Sequence, residues 1–323
     1  MMFKWKKLGQ VFDPTIWNDG IKREWMKTHS QCVSTLIKDD CVRVYFSCRP
    51  DRESSGEVTS NTTWLDLDKK NLKKILRVSK HPVMPLGNLG SFDEHSIYPS
   101  SIIKDNNTVK LYYAGWYRCK TVPFNCAIGL AVSYDEGNTF KRFSEGPILG
   151  PSFNEPYVIS GPKIRKFGNN YILYYLAGTR WFKHNGKSEI VYKIKMAESV
   201  DGINWVRIGK NIIEDVLDEN ECQAGPDVFF YKNIYHMYFV YREGIDFRSK
   251  KGRGYKIGYA YSSDGFNWKR DDKISGIEYS SKGWDSSMHH YPHVFELNNK
   301  YYMLYNGNEF GKFGFGLAIL EDE

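Results

Sequence analysis

Five carboxylates, Asp93, Glu94, Glu155, Glu221 and Asp285, stand just ahead of strand-like runs and recur at intervals of about 65 residues. Two carboxylates facing each other across roughly 5–9 Å can divide into an acid and a base for glycosyl chemistry. Glu221 enters a strand between Cys222 and Ala224, and a carboxyl whose pKa is raised by its neighbours can protonate a leaving oxygen. It is the candidate acid, with Asp93 or Asp285 as the base. Arg49, Arg180 and Arg242 close strands at matching places in three repeats, and guanidinium forks grip carboxylate or phosphate bidentately. Trp116, Trp181 and Tyr291 offer flat faces on which a sugar ring can stack.

These residues act together only if an architecture gathers them, and internal repetition supplies one. Five segments, 29–49, 95–116, 158–179, 222–242 and 289–308, read as strand, turn, strand. Taking Val33, Pro99, Pro162, Pro226 and Pro292 as equivalent gives separations of 66, 63, 64 and 66 residues. A third strand recurs as Ile128-Gly-Leu-Ala-Val-Ser133, Ile194-Lys-Met-Ala-Glu-Ser199, Ile257-Gly-Tyr-Ala-Tyr-Ser262 and Phe315-Gly-Leu-Ala-Ile319. Three of these run into Ser-x-Asp turns, at Asp135, Asp201 and Asp264, whose Glu-Gly or Asp-Gly steps supply the positive φ of tight hairpins. Those turns resemble the Asp-box of sialidases and are read as structural. Each repeat is then a four-stranded antiparallel blade. The last repeat lacks an outer strand, and Phe3-Lys-Trp-Lys-Lys-Leu-Gly-Gln-Val-Phe12 matches the fourth-strand pattern, so the N-terminal strand closes the ring. The expected fold is all-β, one five-bladed β-propeller domain over residues 1–323.

In such a blade the start of the inner strand and the end of the second strand share one rim. Besides the carboxylates, that rim collects His29, Gln31, Arg49, Tyr98, Ser100, Trp116, Ser160, Arg180, Trp181, Asp227, Arg242, His290, Tyr291, Asn306 and Asn308 as substrate-binding candidates. His289 and His290 alternate faces, so at most one of them faces the axis. No ligand spacing supports a metal, and no cofactor is implied.

Composition narrows the function classes. The chain is 41% hydrophobic and 26% charged with 12 Pro, which excludes disorder and fibres. Its aromatic content of 16% suits pleated surfaces and sugar faces. The net charge of +7 is spread without a run of five like charges, so nucleic acid is not an expected partner. The basic N-terminus lacks the apolar stretch of a signal peptide, and no 18-residue apolar run predicts a membrane span. Six cysteines without CxxC spacing sit in strand-like text, as in a reduced, cytoplasmic protein.

The segment Gly161-Pro-Lys-Ile-Arg-Lys-Phe-Gly-Asn-Asn-Tyr-Ile-Leu-Tyr-Tyr175 and its counterparts resemble the five-bladed propeller glycosidases that include arabinanases, xylosidases and invertases, and the related mannoside phosphorylases. Gly283-Trp-Asp-Ser-Ser-Met-His-His-Tyr-Pro-His-Val-Phe295, followed by Tyr305-Asn-Gly-Asn-Glu-Phe-Gly-Lys-Phe-Gly-Phe-Gly316, resembles a group of glycosidase-like proteins associated with surface-polysaccharide gene sets. The resemblance implies an enzyme acting on a glycosidic or glycosyl-phosphate bond, in surface-polysaccharide or nucleotide-sugar metabolism. Its substrate would be a carbohydrate or nucleotide sugar, and the arginines favour an anionic one. The catalytic carboxylates of the arabinanase-like families fall here on Gln31 or Cys32, Ser100 and Ser160, so that mechanism does not transfer. A non-catalytic carbohydrate-binding propeller is the alternative.

Overall fold

A computed structural model describes residues 3–52 and 58–321. Met1, Met2, Asp322 and Glu323, at the bounds of the expected domain, lie outside the described residues. Five four-stranded antiparallel sheets stand as blades of a propeller. Blade one pairs Thr28–Ile37, Cys41–Arg49, Asn61–Asp68 and Asn71–Val78; blade two pairs Ser96–Asp105, Thr108–Arg118, Phe124–Ser133 and Lys141–Arg142. Blade three runs Ile159–Phe167, Asn170–His184, Lys187–Ser199 and Val206–Arg207, and blade four Cys222–Tyr231, Ile234–Arg242, Lys256–Ser262 and Lys269–Arg270. In blade five, His290–Leu297, Lys300–Asn306 and Phe315–Leu320 are followed outward by Trp5–Phe12. The N-terminal strand lies antiparallel to the last one, with Trp5 opposite Leu320 and Phe12 opposite Phe315. The ring therefore closes as the sequence pattern predicts. Blade one adds a third strand that the Gly-x-Ala pattern had not marked, because Thr62-Thr-Trp-Leu65 carries β-branched and aromatic residues instead.

Apolar residues fill the seams between blades. Phe12, Phe46 and Phe315 pack where blade five meets blade one, with ring centroids 5.3–6.0 Å apart. The Ser-x-Asp turns brace the same seams. Asp201 and Asp264 each accept two turn amides at 2.8 Å, and Tyr45 and Tyr174 donate across to the carbonyls of Gly137 and Gly265 in the next blade. These turns belong to the scaffold, at the rim away from the chemistry.

Candidate functional site

Every inner strand carries a register shift at the same height. The shifts fall between Gln31 and Ser34, Pro99 and Ser101, Ser160 and Lys163, Ala224 and Asp227, and His290 and His293. A bulge adds one residue on one side of the ladder and re-aims the side chains around it. Without it, residues three apart would face opposite sides of the strand. With it, Ser160 and Lys163 both border one cavity, as do His290, Tyr291 and Pro292 in a row. Four bulges place a residue at positive φ: Gly161 and Gly225, and, at greater backbone cost, Cys32 (φ 56°) and Tyr291 (φ 49°). Non-glycine residues held in this region cluster where a scaffold fixes a binding surface.

The bulges surround an axial cavity of about 1250 Å³. Of the expected binding residues, His29, Gln31, Arg49, Tyr98, Ser100, Trp116, Ser160, Trp181, Arg242, His290 and Tyr291 line it. One wall is an aromatic strip: Trp116 stacks on Phe124 with centroids 4.1 Å apart, Tyr98 lies 5.1 Å from Trp116, and Trp181 meets Phe124 edge-on at 5.6 Å. Among the described residues the lining holds Arg49, Arg52, Lys163, Arg242, Arg248, Lys250, Lys251 and Lys312 against Asp51, Glu189 and Glu309. Glu189 is buried and accepts from Arg248 at 2.9 Å. His29 touches the Thr28 hydroxyl at 2.8 Å, and burial, then Arg49, Lys312 and Arg52, push its pKa down to about 3. Several residues of the lining keep a buried polar atom without a partner: Gln31 Oε1, Arg49 Nε, Trp116 Nε1, Arg242 Nε and His290 Nδ1.

The expected convergence of Asp93, Glu94, Glu155, Glu221 and Asp285 on this cavity is corrected by the structure, since none of the five lines it. Four of them are buried between strands of their own blades. Asp93 accepts from the Tyr113 hydroxyl (2.9 Å) and Arg142 Nε (2.8 Å). Glu155 accepts from Tyr175 (2.9 Å) and pairs with Arg207 (2.9 Å), and Asp285 accepts from Tyr305 (3.0 Å) and Lys7 (2.7 Å). Glu221 pairs with Arg270 at 2.6 Å and accepts the Val216 and Leu217 amides; Phe239 stands where the other three blades have tyrosine. Each carboxylate thus ties the loop before its inner strand to the blade's outer strand. Burial alone would raise the Asp285 carboxyl, yet hydrogen bonds from His289, Lys7 and Ser280 hold it well below the usual range. Glu94 accepts from the Gly90 amide.

Four further expectations are also displaced from the cavity. Asp227 sits in a buried network that joins three blades, 2.7 Å from Arg165 and 3.3 Å from His293, where burial opposes but Lys163, His293 and Arg165 win and depress its pKa. Asn306 donates to the carbonyls of Ser30 and Gly314 at 2.7 Å, Asn308 accepts the Ser287 and Met288 amides, and Arg180 turns outward to Glu219 and Asn220. His289 faces Asp285 and Tyr305, leaving His290 as the member of the pair on the cavity.

Sequence reasoning missed Lys163, Glu189, Tyr192, Phe124, Tyr255 and the stretch from Phe247 to Lys251. The last has a readable signal: Arg248-Ser-Lys-Lys-Gly-Arg253 sits in the connection from second to third strand, which emerges at the same rim. Among the described residues no group of three or more His, Cys, Asp or Glu could hold a metal ion, and no helix is long and apolar enough to cross a membrane.

No family model matches the chain. Uncharacterized protein Rv1502 of Mycobacterium tuberculosis is 33% identical over 319 residues, covering 98% of this chain and 99% of its own length. A beta-1,2-mannobiose phosphorylase of Thermoanaerobacter is 25% identical over 160 residues, 47% of this chain and 49% of that protein. Among solved structures, a glycoside hydrolase superposes with a TM-score of 0.76 at 16% identity, over 100% of this chain and 93% of its own. The likeness to that structure is one of fold.

Proposed function

The chain belongs to the same family as the mycobacterial protein Rv1502, and from that premise we propose that its axial cavity binds an anionic saccharide. One observation carries the reading: among the described residues the cavity joins an aromatic wall to eight lysines and arginines against three carboxylates. Tryptophan and tyrosine faces suit sugar rings, and a basic, partly enclosed surface suits a negative group on them. The likeness in fold to a glycoside hydrolase and the partial match to a mannobiose phosphorylase support a saccharide over other anions. The resemblance to proteins of surface-polysaccharide gene sets makes surface-polysaccharide metabolism the setting of this proposal.

Recognition without bond cleavage is favoured by the sequestering of the five rim carboxylates inside their blades. Chemistry on a glycosidic or glycosyl-phosphate bond is the second reading, favoured by Glu189, a buried carboxylate on the cavity wall. Held by Arg248 it would act as the ionised partner, a base or nucleophile, with Asp51 or Glu309 as the remaining choice of acid. Thermal-shift and calorimetric screening of neutral, carboxylated and phosphorylated sugars tests the binding reading, which fails if neutral sugars bind as well as charged ones. Turnover of an aryl glycoside or sugar phosphate that Glu189→Gln abolishes would establish the second reading in its place.

A further inference from the structure

Among the described residues six lysines and arginines are buried, and five of them stand 3.6 Å or less from a carboxylate: Arg23, Arg43, Lys163, Lys193 and Lys195. Arg242, only 3% exposed, is the exception. Its Nη1 donates to the Glu243 carbonyl (2.6 Å), its Nη2 to the Tyr192 hydroxyl (3.0 Å), and its Nε–H has no acceptor. The ring of Phe247 lies 3.5 Å from the guanidinium carbon, with Tyr255 at 5.2 Å and Tyr192 at 5.4 Å. His290, 2% exposed, abuts Tyr255 with ring centroids 3.9 Å apart, and its Nδ1 has no partner either.

A buried cation without a counter-charge is an expense that ion pairing offsets for the other five. Here the offset is missing, while Arg242 and His290, which border the same cavity, keep an unused guanidinium N–H and an unused imidazole nitrogen. We propose that this pocket is the acid subsite of the cavity, in which Arg242 and His290 receive the carboxylate of a sugar acid. This inference rests on the saccharide reading above. Charge selects the class. Burial, and then Arg242, hold the His290 imidazole well below its ordinary range, so the pocket carries one positive charge and a neutral donor. A carboxylate brings one negative charge and two in-plane acceptors that fit the guanidinium edge. A phosphate monoester brings about −1.5 to −2, and the other cation on these aromatic walls, Arg248, 4.0 Å from the Phe247 ring, is already held by Glu189.

Titration calorimetry tests the subsite with D-glucuronate, D-galacturonate and D-mannuronate, each beside its parent hexose and that hexose's 6-phosphate. At least one uronate is expected to bind about tenfold tighter than both counterparts. Arg242→Met should abolish that preference, bringing the uronate down to the affinity of its parent hexose, and should raise the Tm of the ligand-free protein by about 2 °C or more, because it removes an unpaired buried charge. His290→Phe, which keeps the ring, should narrow the gap between uronate and hexose several-fold. A uronate preference that survives Arg242→Met, a preference for the 6-phosphates, or a variant that loses stability or fails to fold overturns the subsite and leaves the saccharide reading standing. Failure of every sugar, charged or neutral, to bind the unmodified protein overturns the saccharide reading itself.

Discussion

Two sets of charged residues occupy the same rim of this propeller and differ in a single respect. Asp93, Glu155, Glu221 and Asp285 each meet a cation from the outer strand of their own blade. Arg49 and Arg242, which line the axial cavity, meet aromatic rings or a histidine, with a guanidinium Nε left unpartnered in each. The first set is internally neutralised and holds loops to sheets. The second is the one that a ligand can complete. Position in the repeat therefore does not distinguish scaffold from site in this fold, whereas the state of charge pairing does.

The largest way to break the comparison is through the clamps. Glu221→Ala takes from Arg270 one of its two carboxylate partners, leaving Asp272, and strips the acceptor from the Val216 and Leu217 amides; breaking a buried pair costs about 3–5 kcal/mol. Urea unfolding should report a loss of that order, and a loss below about 1 kcal/mol would return Glu221 to the functional candidates.

Acid should act next. His29 and His293 are held down to about 3 and about 4, burial being the main cause, with Arg49 next for His29 and Lys163 next for His293. Their folded pKa values lie below the unfolded value of about 6.5, so the unfolded chain takes up protons first and stability falls as the pH drops from about 6.5 toward 4. The depressed Asp227 and Asp285 carboxyls add a further loss below about pH 4, where the unfolded chain protonates them first. A loss of several kcal/mol between pH 7 and pH 4, about 3 from each histidine, is expected in denaturant titrations. A flat profile would contradict the burial of these groups.

Substitution on the cavity side should be gentler on the fold. Trp116→Ala removes the centre of the aromatic strip and should weaken saccharide binding by roughly tenfold, about 1.4 kcal/mol, with a smaller stability loss than Glu221→Ala. Equal stability losses in the two variants would erase the distinction between site and scaffold.

The architecture was legible because a propeller repeats itself: proline markers, Gly-x-Ala third strands and Ser-x-Asp turns each record one blade, and the unpaired third strand Phe315–Leu320 asks for the strand that Trp5–Phe12 provides. The site was legible by rim and not by direction. Glu155 and Ser160 lie five residues apart at the same rim, yet Glu155 points into its blade and Ser160 into the cavity. What decides between them is a partner 52 residues later, Arg207, and a bulge that no residue type announces except where Gly161 and Gly225 allow positive φ. The recurrence of Arg142, Arg207 and Arg270 directly after the third-strand turns was the available hint that the rim carboxylates were already spoken for.

A crystal structure of the protein soaked with the tightest-binding sugar acid tests the central claim most directly. The account predicts a saccharide against Trp116 and Phe124 with its charged group beside Arg242, and Asp93, Glu155, Glu221 and Asp285 still bound to their outer-strand cations. A sugar seated against any of those four carboxylates, with the clamp to its outer strand opened, would contradict it.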